Sequence, residues 1–297
     1  MNKNKLVSIV GTTASGKSSL GIELAIHYGS EIVSADSRQV YKYLDLGTGK
    51  VTPEEMKLVR HHLIDILELG EPFSMAEFQT LAYKAIDDIH NREMLPFLVG
   101  GTGLYTRSVV EGYNLVDVPP NEELRHELNT KTTDELRALL KERGVTEISG
   151  EVSDRRMVRM LEKLYAGYSA ENESNPKYDV LQLAITWDRD VLYKRISERL
   201  DARIKEGMID EVEKTLSLGA TPEFLERLGL EYRYTYRYIS GQYSGFDEYR
   251  DELYREICHF AKRQVTWFKK EKNIIWLDTE KDLKEQSIKL IDEFLNK

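Results

Sequence analysis

Apolar runs of strand length recur along most of the chain, separated by segments whose apolar positions fall three or four residues apart. Residues 6–10, 31–35, 63–67, 95–99, 180–186 and 273–277 are of the first kind, and the nearly unbroken apolar character of 95–99 is that of a central parallel strand. Residues 19–28 place Leu20, Leu24 and His27 on one helical face, and 53–59 read as a short helix. Residues 74–90 repeat Phe78, Leu81, Ala85 and Ile89 at helical spacing behind a Ser74/Glu77 capping box. Alternating strands and helices predict an α/β fold with a parallel sheet flanked by helices. Between 113 and 179 glycine thins out, charge rises and helical periodicity alone remains, which predicts an inserted all-helical domain. There Thr132 and Glu135 form a capping box for a helix ending near Gly144, with Leu136, Leu139 and Leu140 inward. Residues 153–167 set Met157, Leu161 and Leu164 on one face and Arg155, Arg156, Arg159 and Lys163 on another, and the polar stretch 171–176 returns the chain. Long amphipathic helices marked by Leu192, Ile196, Leu200 and Ile204, then Ile209, Val212 and Leu216, resume the core. The organisation is therefore a core of 1–112 and 180–297 interrupted by a helical insertion, 113–179.

Between the first strand and the first helix stands Gly11-Thr12-Thr13-Ala14-Ser15-Gly16-Lys17-Ser18, a complete G-x-x-x-x-G-K-[ST] motif in its required strand-loop-helix context. Gly11 and Gly16 let the backbone wrap closely around phosphate, and the N–H groups of Thr13, Ala14, Ser15 and Gly16 can turn inward at a helix N-terminus. Lys17 supplies a point charge, and the Ser18 hydroxyl is the usual ligand for a phosphate-bridging Mg²⁺. The fold class is thus a P-loop NTPase-like sheet. A nucleotide, a phosphorylated metabolite and a diphosphate ester all fit such a loop. Two further polar turns follow strands in the same half. Asp36-Ser37-Arg38-Gln39 comes after the second, and Gly100-Gly101-Thr102-Gly103 after the central one, at the sheet edge where open α/β folds bind ligands. His61 and His62 are adjacent on a predicted strand and point to opposite faces, so they are poorly placed to share a metal.

The formal net charge of −9 over 297 residues argues against bulk coating of nucleic acid and leaves only local basic surfaces. Cys258 is the sole cysteine, which excludes an internal disulfide and suits a reducing compartment. Without a signal-peptide core or a membrane-length apolar run, the expected location is the cytoplasm. Tyr232, Tyr234, Tyr236 and Tyr238 alternate with Arg233 and Arg237, an interleaving open to base stacking and to packing alike.

Three stretches taken together, 11–18, Ser34-Ala35-Asp36-Ser37-Arg38-Gln39-Val40-Tyr41 and Gly100-Gly101-Thr102-Gly103-Leu104-Tyr105, resemble the tRNA dimethylallyltransferase family. Arg199-Leu200-Asp201-Ala202-Arg203, Gly207 to Val212 and Ala261-Lys262-Arg263-Gln264-Val265-Thr266-Trp267-Phe268 extend the likeness over nearly the whole chain. The resemblance implies transfer of a dimethylallyl group from its diphosphate to the exocyclic amine of the adenosine 3′ to the anticodon of tRNA, with Mg²⁺ at Ser18. It further implies catalytic roles for Asp36 as proton acceptor, Thr102 and Lys17, and diphosphate binding by the P-loop. Contact with a tRNA anticodon stem-loop is implied for Asp36, Ser37, Arg38, Gln39 and Thr102, and for Arg125, Arg155, Arg156 and Arg159 of the insertion. The expected state of the chain is a monomer. The sequence departs from the family where Thr12 replaces proline, where Cys258 falls near an arginine, and at Leu228-Gly229-Leu230-Glu231-Tyr232-Arg233, where Arg233 is the candidate substitute for a diphosphate-holding basic residue. A P-loop small-molecule kinase and prenyl transfer to free AMP or ADP remain the alternative functions.

Overall fold

The computed structural model describes residues 4–115, 118, 121–145, 152–170, 173–271 and 273–297. Its centre is a parallel sheet of β1 (Lys5–Gly11), β2 (Ile32–Ser34), β3 (His61–His62), β4 (Phe97–Gly100), β5 (Asp179–Ile185) and β6 (Ile274–Trp276), in the order β3-β2-β4-β1-β5-β6. Strand alternation sends Val7, Ile9, Phe97 and Val99 to one face, where they meet Leu20, Leu24 and Ala25 of α1 (Lys17–His27) and Ile291. Leu6, Val33 and Leu98 face the other way, onto Phe78, Ala82, Ile86 and Ile89. Those four lie on α3 (Met75–Asn91), which follows α2 (Pro53–Leu58) and precedes α4 (Gly103–Val110). Both faces are covered, as a parallel sheet requires. Ser74 and Glu77 exchange bonds as a capping box at the start of α3.

Two local expectations differ. The strand expected at 63–67 is instead the two-residue β3, because Leu63 and Asp65 take positive φ, which breaks an extended run. His62 bonds Glu31 at 2.6 Å and His61 the Val59 carbonyl at 2.8 Å, so each histidine has its own structural partner. His27 is exposed at the end of α1, edge-on to Tyr28, and not on the apolar face.

Residues Glu111–Pro176 form a separate compact unit. Its helices, α5 (Glu122–Asn129), α6 (Thr133–Glu142) and α7 (Asp154–Tyr165), close over Leu128, Leu136, Leu140, Met157, Val158 and Leu161. The entry and return strands of chain pair with each other, Tyr113 bridging Ser174 antiparallel. Of the expected return segment 171–176, Glu171 and Asn172 lie outside the described residues. Lys163, expected on the basic face of α7, is buried instead.

The second part of the sheet unit is dominated by helices: α8 (Arg189–Lys205), α9 (Met208–Ser217), α10 (Pro222–Leu228), α11 (Leu230–Ile239), α12 (Phe246–Phe268) and α13 (Leu283–Leu295). Leu192, Ile196 and Leu200 of α8 pack with Leu253, Ile257 and Ala261 of α12 and Tyr234 of α11. The α11 tyrosines are used in packing: Tyr232 is fully buried, and Tyr238 stacks on Tyr249 at 4.6 Å. Among the described residues no helix is long and apolar enough to cross a membrane.

Glu162 is the electrostatic centre of the helical unit, with a side chain 1% exposed. It accepts from Arg125 at 2.7 Å, from Arg159 at 3.1 Å and from the Asn121 N–H at 3.2 Å. Burial alone would raise its pKa, but these donors outweigh it and hold the carboxyl below its ordinary value. A depressed folded pKa gives stability that is present above the unfolded value of about 4.3 and is lost as pH falls through the folded one. Glu162→Ala should therefore cost ~1–3 kcal/mol near neutral pH, moderated by the partial exposure of both arginines. Urea unfolding at pH 7 and again below pH 4 checks this, with the gap between variant and parent narrowing in acid.

Candidate active site

The P-loop is held from outside by its carbonyl groups. Arg195 Nε donates to the Ala14 carbonyl at 2.8 Å and Trp187 Nε1 to the Ser15 carbonyl at 2.9 Å, while the Arg195 guanidinium lies over the Trp187 ring. With these carbonyls turned out and Ala14 and Gly16 at positive φ, the loop N–H groups are left for an anion at the start of α1. The Thr13 N–H is tied elsewhere, donating to Gln264 Oε1 at 2.8 Å. The amide of Gln264 in turn donates to the Gly101 carbonyl at 3.0 Å, so one buried α12 side chain fastens the first glycine turn to the second.

The second and third turns meet because β2 and β4 are neighbours and end together. Gly100 is required there: a Cβ would collide with the Ala35 carbonyl. Thr102 Oγ1 consequently accepts the Ser37 N–H at 3.3 Å, and Asp36 Oδ1 accepts the Arg38 N–H at 2.8 Å, which fixes the carboxylate rotamer. Gln39 is clamped between Ser34 at 3.1 Å and the Gly49 carbonyl at 3.1 Å. Glu211 of α9 holds the adjoining loop by accepting the N–H groups of Asp45, Leu46 and Gly47, and it also takes the Tyr232 hydroxyl.

These groups open on one cavity of about 550 Å³. Thr13, Lys17, Ser18, Asp36, Ser37, Arg38, Gln39, Thr102 and Arg233 line it, as do Arg199 and Arg203 of α8 and Arg263. Burial, then Arg199 and more weakly Arg203, push the Lys17 ammonium down to about 8, against the opposing pull of Asp36. Burial and the neighbouring Arg203 likewise lower Arg199, which bonds Thr13 Oγ1, and burial lowers Arg38. Such crowding of cations is relieved by an anion. Six basic side chains face two carboxylates, Asp36 and Glu231, around this space. Leu104, Phe260, Trp267 and Phe268 give it an apolar wall as well.

The profile of the IPP transferase family matches residues 39–271. A tRNA dimethylallyltransferase 2 from Treponema denticola is 44% identical over 282 residues, 92% of this chain and 94% of the relative. The chain belongs to the tRNA dimethylallyltransferase family. Among solved structures, the full-length tRNA isopentenylpyrophosphate transferase from Bacillus halodurans matches with a TM-score of 0.74 at 38% identity, over 99% of this chain and 96% of that one. A eukaryotic dimethylallyltransferase acting on tRNA, at 24% identity, shares the fold with a TM-score of 0.83 over 99% of this chain and 80% of its own.

Relative to the residues expected of a tRNA dimethylallyltransferase, the structure brings the P-loop, 36–39 and Thr102 together and adds groups to which the sequence reading gave no role, although Arg199, Arg203, Glu211 and Gln264 stand in the segments that carry the family resemblance. Arg195, Arg199 and Arg203 recur every four residues on α8, on the face adjoining Leu192, Ile196 and Leu200, and that basic stripe was the available signal. No local pattern marks Gln264 or Glu211 as braces, since their partners are far away in sequence. Arg233 lines the cavity while its Nε donates to the Glu226 carbonyl at 2.7 Å. In the helical unit Arg155 and Arg156 are exposed, whereas Arg125 and Arg159 are engaged with Glu162.

Gln264→Leu abandons a half-buried N–H and a buried carbonyl at once, a loss of ~1–3 kcal/mol for the buried carbonyl and less for the N–H. The expected result is a clear fall in melting temperature together with a raised KM for the diphosphate substrate. Gln264→Glu, which keeps the bond to Thr13 and loses the one to Gly101, should fall between the two.

Proposed function

We propose that the protein transfers the dimethylallyl group of dimethylallyl diphosphate to the exocyclic amine of the adenosine 3′ to the anticodon of tRNA, releasing diphosphate, in the cytoplasm and as a single chain. The observation that carries this reading is the surplus of four positive charges around a P-loop cavity that also has an apolar wall and an acid beside it. A diphosphate ester with a short apolar tail matches that division.

The chemistry follows from the placement. The allylic C–O bond breaks with its electron pair leaving on the diphosphate, which the P-loop N–H groups, Lys17 and Arg199 receive as preorganised charge. The amine nitrogen bonds to the allylic carbon and becomes strongly acidic as it does so. Asp36 takes its proton, a task in which placement matters more than basicity. Thr102, whose oxygen already accepts from Ser37, keeps its own O–H to donate to the departing oxygen or to orient the base. Gln39 and Arg38 offer donors and an acceptor for an adenine edge. The base leaves its stack to enter the cavity. Exposed Arg155 and Arg156 supply charge toward the tRNA backbone.

The donor set fits Mg²⁺. Ser18 lines the cavity beside Lys17, and among the described residues no cluster of three His, Cys, Asp or Glu side chains offers a different metal site. Ser18 and the diphosphate oxygens would hold the ion, which when bound neutralises charge on the leaving group. A kinase reading has less support. The central strand ends in glycines, and Asp188 stands at the N-terminus of α8, outside the groups that line the cavity.

Two outcomes are expected. Incubation with labelled dimethylallyl diphosphate should place label on the tRNA adenosine, with Asp36→Ala lowering kcat at least ~100-fold and Arg155→Ala/Arg156→Ala raising KM for tRNA. Label on free AMP alone would reassign the acceptor, and phosphoryl transfer from ATP would restore the kinase. The second concerns pH. The free site keeps Lys17 protonated below about 8, and a bound diphosphate raises that value. Affinity should be level from about pH 7, where the terminal phosphate is ionised, to pH 8 and weaken above it by up to about tenfold per unit, a slope that calorimetric titration of dimethylallyl diphosphate reads and that Lys17→Met abolishes.

A further inference from the structure

Among the described residues two carboxylates line the cavity, and Asp36 has its task in proton transfer. The other, Glu231 at the start of α11, faces a cation on α8: Arg203 Nη1 lies 3.7 Å from Glu231 Oε1, with side chains 12% and 19% exposed. Arg203 sits one helical turn beyond Arg199, which is bonded to the P-loop through Thr13. Its guanidinium lies against Gly49, at φ +61°, where any Cβ would occupy the space of Arg203 Nη2. The Gly49 carbonyl is held by Gln39, so the surface under Arg203 is fixed. Its charge reaches both P-loop partners, lowering Lys17 and Arg199, while Glu231 opposes it at Arg199.

We infer that Arg203 and Glu231 form an exchange pair for the diphosphate: Glu231 is the resident counter-anion of Arg203 in the free enzyme, and the incoming diphosphate takes Arg203 over. This rests on the diphosphate chemistry proposed above and extends it to two residues with distinct roles. At 3.7 Å the pair is an ion contact longer than a charge-assisted hydrogen bond, so a better acceptor displaces it readily. Glu231 stays beside the cavity when displaced. Breaking the allylic C–O bond adds a negative charge to the diphosphate, so the repulsion from Glu231 is greater for the product than for the substrate. Arg203 therefore strengthens capture and Glu231 hastens release.

The test titrates inorganic diphosphate with Mg²⁺ into the full-length protein and its Arg203→Gln, Glu231→Gln and doubly substituted forms, by calorimetry, with thermal melts as the folding check. Arg203→Gln should weaken diphosphate binding about tenfold, the scale of one charge-assisted contact. Glu231→Gln should tighten it by a similar factor and lower the product inhibition constant for diphosphate in prenyl transfer. In the Arg203→Gln background the effect of Glu231→Gln should be clearly smaller than in the parent, because the competition for Arg203 is gone and only the direct repulsion of diphosphate remains. Arg203→Lys, which keeps the charge, recovers part of the binding and replaces Arg203→Gln should that variant fail to fold. Unchanged binding in Arg203→Gln, or weaker binding in Glu231→Gln, overturns the pair. If parent enzyme labels tRNA while these variants bind diphosphate as the parent does, the exchange pair fails and the prenyl-transfer reading stands. If the binding pattern holds and no tRNA is labelled, the reverse is true.

Discussion

Positive charge in excess of the carboxylates around it is the constraint on which this structure depends. Lys17, Arg38, Arg199 and Arg203 are crowded into one cavity; burial lowers the first three, and repulsion from neighbouring arginines adds to it at Lys17 and Arg199. Nothing about that arrangement favours folding by itself. It persists because each cation is fixed by a part of the fold that is stable for other reasons: Lys17 by the first turn of α1, Arg199 and Arg203 by a helix whose adjoining face is core, and Arg38 by a loop anchored between β2 and the Val40–Leu44 cluster. The energy stored in the repulsion is returned when a polyanion binds, which is the physical basis for preorganised stabilisation of a leaving diphosphate.

The sheet makes that crowding possible. Parallel strands bring the C-terminal ends of β1, β2 and β4 to one edge, so the P-loop, the Asp36 turn and the Thr102 turn become neighbours although they are separated by tens of residues. Close approach of β2 and β4 needs a residue without Cβ at Gly100. Gln264 then ties two of the three turns together from α12, nearly the whole chain away. A tight network of this kind keeps an acid, a hydroxyl and an anion cradle at fixed separations, which is what a transfer reaction with little covalent assistance from the protein requires.

The helical unit obeys a different economy of charge. Four of its arginines divide into two sets: Arg125 and Arg159 neutralise buried Glu162, Arg125 thereby tying α5 to α7, while Arg155 and Arg156 stay in water. Helical spacing alone groups Arg155, Arg156 and Arg159 on one side of α7. A single buried glutamate from the same helix separates them.

The sequence by itself determined the α/β class, the P-loop and its helix, the capping boxes at Ser74 and Thr132 and the helical character of the insertion, because each rests on local spacing that backbone geometry reads directly. It also determined family membership, through motifs whose order survives along the chain. Only the tertiary structure decided which cations belong to the cavity, since Arg199 and Arg203 reach it from a helix whose periodicity announces a basic stripe but not what that stripe faces. The same holds for Gln264 and Glu211, whose partners lie on distant turns, and for the loss of the strand expected at 63–67, where positive φ at Leu63 and Asp65 is set by packing around β3 and not by apolar content. Local periodicity encodes faces and ends; contacts across the sheet edge are non-local, and no spacing along a chain encodes them.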